Sequence, residues 1–172
     1  MQDITRILKL LSASREKFLA AIHSVPDDRW QQRLTPDAWS PAEISVHVTM
    51  VERSVHKNAN RVLSAPPANL PFTKRFHLPV KIARLRYPRV KSPIPLNPAF
   101  LGDKAKIIES LGFARKLTTN FLEANRSRDL SAYRFPHPFI GSLNIYDWHE
   151  LIAYHEDRHR KQLLEIVEKF QL

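Results

Sequence analysis

Cysteine is absent from the 172 residues. That excludes disulfides, thiolate metal ligands and a thiol nucleophile supplied by the chain itself. Glycine occurs only 3 times, too rarely for a phosphate-cradling loop of the dinucleotide-binding or P-loop type. No stretch approaches the roughly 18 consecutive apolar residues of a membrane-crossing helix. Acidic residues are missing from one whole region: none lies between Arg53 and Gly102. That region carries Arg53, Lys57, Arg61, Lys74, Arg75, Lys81, Arg84, Arg86, Arg89 and Lys91, which account for the formal charge of +10. The basicity is therefore local. It points to an anionic partner, or else to a solvated connecting segment.

What is present is mostly helical periodicity. The length suits a single domain, 1–172, able to bury a core. The opening Met1-Gln2-Asp3-Ile4-Thr5-Arg6 reads as the start of an amphipathic helix and not as a signal peptide, so a cytoplasmic location is expected. Ile4, Ile7, Leu8, Leu11, Phe18, Leu19 and Ile22 form one stripe, predicting a first helix from about Asp3 to Ser24. Ser40-Pro41-Ala42-Glu43 combines a capping serine, a proline suited to the first turn and a glutamate completing a capping box. It predicts a second helix over 41–63. Eight prolines interrupt residues 65–98, where only a short helix near 79–87 fits. The apolar Phe72, Phe76, Leu78, Ile82, Leu85 and Tyr87 give this segment area to pack down as a lid or crossover.

A third helix is expected from Pro98 or Asp103 to Ala124, and a fourth from Asn144 or Asp147 to about Phe170. No strand-like alternation competes. The fold class expected is all-α, an antiparallel four-helix bundle, with helices 1 and 2 as neighbours because their link is short and a long Pro-rich basic crossover between helices 2 and 3.

The histidines stand out against this frame. His155 and His159 are four residues apart, on the stripe shared by Trp148, Ile152, Ile166 and Phe170. His47 shares a face with Ile44, Val48, Val51 and Val55 on helix 2. Three inward imidazoles from two helices offer three neutral nitrogen ligands with a coordination position left open, the requirement of a catalytic zinc or nickel site. The competing reading is core histidines satisfied by ordinary hydrogen bonds. His155-Glu156-Asp157-Arg158-His159 also matches His-Glu-x-x-His, the zinc-protease motif. That reading is set aside: no metzincin-position histidine follows, and Glu156 is expected to point away from the inward stripe.

Three blocks carry a family resemblance. Trp39-Ser40-Pro41-Ala42-Glu43-Ile44-Ser45-Val46-His47 resembles the W-S-x-x-E-hydrophobic-x-x-H opening of helix 2 in the DinB-like superfamily. His155-Glu156-Asp157-Arg158-His159-Arg160-Lys161-Gln162 is similar to its closing H-x-x-R-H-x-x-Q, and His137-Pro138-Phe139-Ile140-Gly141 to its H-P-x-x-G segment. The resemblance implies an up-down-down-up bundle, often a homodimer, holding a divalent metal through His47, His155 and His159. It implies a metal-dependent transferase or hydrolase acting on a small molecule, with water or a low-molecular-weight thiol cosubstrate as nucleophile. The basic Pro-rich insert is not part of that pattern.

Supporting candidates follow from position. Glu43 lies one turn before His47 and either orients it or caps the helix; Gln162 lies three residues past His159; His137 is placed to line the pocket mouth. Asp147 reads as a helix-start residue, and Trp39 and Trp148 as core anchors. The alternative function is a non-catalytic binding module whose 65–98 segment, with Arg84, Arg86 and Arg89, meets an acidic partner or, less favoured, nucleic acid.

Overall fold

The computed structural model describes residues 3–67, 77–85 and 102–170. Four long helices make the frame: α1 Ile4–His23, α2 Pro41–Leu63, α3 Lys104–Ala124 and α4 Ile145–Phe170. Each predicted helix is present, and the start signals act as read. Asp3 and Asp103 cap α1 and α3 through their side chains, and the Ser40–Glu43 capping box closes the first turn of α2. Asn144 accepts from the Asp147 N–H at 2.9 Å and so starts α4.

Two features depart from the sequence reading. Residues 134–144 were expected to lack strands, yet Arg134–His137 (β1) and Gly141–Asn144 (β2) pair antiparallel. The hairpin turns through Pro138-Phe139-Ile140, and Gly141 takes φ 101°, a conformation that suits glycine. Strands of four residues, one with a proline inside, are too short to show alternation. The second departure concerns neighbours. The closely packed helix pairs are α1 with α4, α2 with α3, α2 with α4, and α1 with α3. Helices α1 and α2 therefore lie across the diagonal, despite the short link between them.

Side-chain pairings give the helix directions. Arg6 pairs with Glu150 and Arg15 with Glu156, so α1 and α4 run parallel. Glu52 bonds Arg115 and His56 packs on Phe121, so α2 and α3 run parallel. Arg115 reaches the Leu11 carbonyl and Arg15 the Leu111 carbonyl, so α1 and α3 are antiparallel. The order is up-down-down-up. The crossover between α2 and α3 is described at 77–85, where a 3-10 turn, Val80–Arg84, packs on α4. Val80 is buried there, whereas Leu78, Ile82 and Leu85 are exposed and do not pack down as expected. The expected apolar contacts of Phe72, Phe76 and Tyr87 lie outside the described residues.

The interior divides into two apolar cores. One gathers Ile7, Leu11, Val55, Phe121, Leu122, Tyr146 and Leu151 with the hairpin's Phe135 and Leu143. The other gathers Phe18, Ile22, Ile44, Val48, Ile107, Leu111, Leu163 and Ile166. Between them each helix contributes one buried charge: Arg15, Glu52, Arg115 and Glu156. Arg15 bonds Glu156 at 2.5 Å and Glu52 at 2.6 Å; Arg115 bonds Glu52 at 2.7 Å and Glu156 at 3.0 Å. Ser14 donates a further hydrogen bond to Glu156. Burial alone would raise the Glu52 carboxyl, but the Arg115 and Arg15 guanidiniums hold it below its ordinary value. Glu156, read from sequence as pointing outward, is fully buried in this layer. Two cations beside two anions make that placement tolerable, because each charge keeps partners on both sides.

Candidate metal centre

The α2 capping box fixes where that helix begins, and with it the position of His47 two turns later. On α4, His155 and His159 stand one above the other. The α2/α4 contact brings the three rings together. His155 Nε2 lies 3.1 Å from His47 Nε2 and 3.1 Å from His159 Nε2. One ligand atom from each histidine falls within 4.8 Å of the other two. Nitrogens bound at about 2.0–2.1 Å to a common ion, at octahedral to tetrahedral angles, stand roughly 2.9–3.4 Å apart. The two close separations have that length.

These nitrogens suit a cation better than each other. A neutral imidazole nitrogen offers either one N–H or one lone pair. His155 Nε2 faces two ring nitrogens and can satisfy one of them with a proton, not both. His159 Nδ1 lies 2.9 Å from the Gln162 side-chain oxygen, so its N–H donates there and Nε2 keeps a lone pair aimed inward. Burial pushes the His47 pKa down to about 4. His155 is pushed well below 6.5, first by burial and then by the positive charge His159, His47, Arg158 and His137 would carry. Both rings are thus neutral near pH 7, the state in which imidazole ligates. His47 and His159 are buried while His155 is partly exposed, so the cluster has a solvent side. The donor set could hold a metal ion.

The other sequence candidates separate. Gln162 sits where expected, hydrogen-bonded to His159. Glu43 is a cap and not a partner of His47: its carboxylate accepts from the Ser40 N–H at 2.8 Å and pairs with Arg33. His137 is on β1, half-buried, its ring 5.2 Å from that of Trp148 and its Nδ1 accepting from the Phe139 N–H. Arg84 spends its charge on Asp157 at 2.9 Å, while Arg86 and Arg89 lie outside the described residues. Asp147 faces His77 at 3.1 Å. Trp39, read as a core anchor, forms a wall of the cluster, 4.9 Å from the His47 ring and 6.3 Å from the His159 ring. Its place directly before the helix cap was the available signal.

The family model for the DinB superfamily matches residues 10–163. The chain belongs to the DinB superfamily. A Bacillus subtilis (strain 168) relative, described as uncharacterized protein YuaE, is 23% identical over 167 residues, covering 95% of this chain and 99% of that one. The crystal structure of TT2238, a four-helix bundle protein, matches with TM-score 0.62 and 24% identity over 95% of this chain and 99% of that one. The second likeness bears on the fold. In this DinB-superfamily chain no described helix is long and apolar enough to cross a membrane.

Proposed function

We propose that this chain is a metal-dependent enzyme of the transferase or hydrolase type, holding a divalent ion through His47, His155 and His159 and acting on a small molecule. The observation that carries the reading is the convergence of three imidazole nitrogens, one from each histidine, within 4.8 Å of one another. When bound, such an ion acts as a Lewis acid and lowers the pKa of a water or thiol, so that a nucleophile forms at neutral pH. The chain's own residues prepare for this. Gln162 fixes the His159 tautomer, Trp39 shields one flank from water, and the partly exposed His155 edge leaves an approach open. His137, on β1 beside Trp148, is the residue proposed to line the mouth of the site. Because the chain has no cysteine, a thiol nucleophile would arrive as a low-molecular-weight cosubstrate. A homodimer is part of the same proposal and rests on the family resemblance.

Elemental analysis of the purified protein tests the site. About one zinc or nickel per chain, lost in His155→Ala/His159→Ala with helicity retained, supports it; absence of metal after reconstitution with either ion refutes it. Screening the reconstituted protein with and without small thiols then tests the choice between thiol and water, and sedimentation tests the dimer.

A further inference from the structure

The 77–85 segment shows an arrangement that the metal centre does not use. Of the six large apolar side chains exposed among the described residues, three lie on it: Leu78 at 51%, Ile82 at 41% and Leu85 at 54%. A fourth, Phe139 at 55%, is at the turn of the hairpin. The two places adjoin, because His77 bridges to Gly141 and the Leu78 N–H donates to the Ile140 carbonyl at 3.0 Å. The segment is held to the body on its other side. Val80 is buried, and Arg84 pairs with Asp157 of α4. Ile82 lies in the 3-10 turn and Leu85 closes it, its N–H donating to the Ile82 carbonyl at 3.0 Å, and both side chains are exposed. Exposed Lys81 stands beside them. The sequence from Arg53 to Gly102 holds no Asp or Glu, and of the α4 carboxylates that meet the segment, Asp157 is matched by Arg84, Arg160 and Lys161 and Asp147 faces His77.

We infer that the Leu78–Leu85 segment and the Phe139 turn form a docking surface for an anionic lipid surface, the aliphatic side chains entering the headgroup–acyl boundary and Lys81 facing lipid phosphate and carboxylate. Interfacial binding needs this pairing of apolar insertion with positive charge. A second copy of the chain would bring the same basic segment against itself, and like charge opposes that contact. Single-stranded nucleic acid is gripped by aromatic stacking along a basic groove. Here the cation lies among exposed leucine and isoleucine on a short turn. The inference is independent of the metal reading.

The test uses the whole protein and two sets of vesicles, phosphatidylcholine alone and phosphatidylcholine with phosphatidylserine, in a sedimentation assay. Binding is expected to the second set and to be lost when salt rises from about 0.1 M to about 0.5 M, where charges are screened within a few ångströms. Ile82→Ser/Leu85→Ser should weaken it at least about tenfold and Lys81→Ser roughly fivefold. Phe113→Ser/Leu164→Ser, which removes exposed apolar groups elsewhere, should leave it unchanged. Circular dichroism checks that each variant is folded. The inference is overturned by any of four results. These are no binding to the serine-containing vesicles, equal binding to both sets, undiminished binding by Ile82→Ser/Leu85→Ser, or loss in that variant of a dimer or of RNA binding while vesicle binding persists.

Discussion

Two clusters of buried polar side chains lie side by side in this bundle, and they solve opposite problems. In the layer of Arg15, Glu52, Arg115 and Glu156, donors meet acceptors and two positive charges meet two negative ones. It is complete without any addition. In the His47–His155–His159 cluster three similar nitrogens converge, and one proton on His155 Nε2 cannot serve both of its ring neighbours. Adjacent residues on one helix, His155 and Glu156, belong to different clusters. A polar group inside a protein therefore points to a ligand only when its neighbours are of its own kind; opposite kinds point to architecture.

The sharpest break of this contrast is expected at Glu156. Glu156→Ala leaves Arg15 and Arg115 short of a partner in the interior and should cost roughly 3–5 kcal/mol in urea unfolding of the metal-free protein. A cost near zero would show that the layer is not closed in the way described.

Acid comes next. His47 and His149 are held neutral by burial, each with a pKa pushed down to about 4. Unfolding restores the ordinary value near 6.5, so below it the unfolded chain binds more protons. Metal-free stability should be level above about pH 6.5 and fall by a few kcal/mol as pH drops toward about 4. The slope should shrink in His149→Phe, which cannot take the proton. Urea midpoints across that range measure it, and a flat profile would contradict neutral burial.

The triad should behave unlike the charge layer. His155→Ala is expected to change metal-free stability by no more than about 1 kcal/mol. It should abolish the roughly 2.7 kcal/mol of stabilisation that a divalent ion gives at 100 times its dissociation constant. A thermal-shift titration with zinc and nickel reads both numbers.

The smallest expected effect is at Gln162. Gln162→Leu removes the acceptor that fixes the His159 tautomer and should weaken metal binding by about 10–100-fold while the triad still holds its ion. Competition with a chelator measures it.

Much of this was readable before any coordinates. The bounds of α2 follow from Ser40, Pro41 and Glu43, whose roles depend only on local chemistry. The three histidines meet because helical spacing places each on an inward stripe and the bundle brings α2 and α4 together. The hairpin is not legible, since β1 and β2 are set by pairing with each other and by the bridge from His77 to Gly141, not by their own pattern. The charge layer escapes the sequence reading for a different reason: a stripe defined by apolar residues alone leaves Glu156 outside it. Yet Arg15 lies four residues from Leu11, Glu52 four from Val48, Arg115 four from Leu111 and Glu156 four from Ile152. One charge on the inner stripe of every helix, summing to zero, is a sequence signal in its own right.

The parallel course of α2 and α3 has a consequence for the length of what joins them. A chain leaving the far end of a 23-residue helix must travel back about 34 Å before it can begin a partner running the same way. About ten extended residues cover that distance, whereas 40 separate Leu63 from Lys104. The topology demands only about a quarter of that length, so the link has chain to spare for contacts of its own, such as Val80 in the core and Arg84 on Asp157.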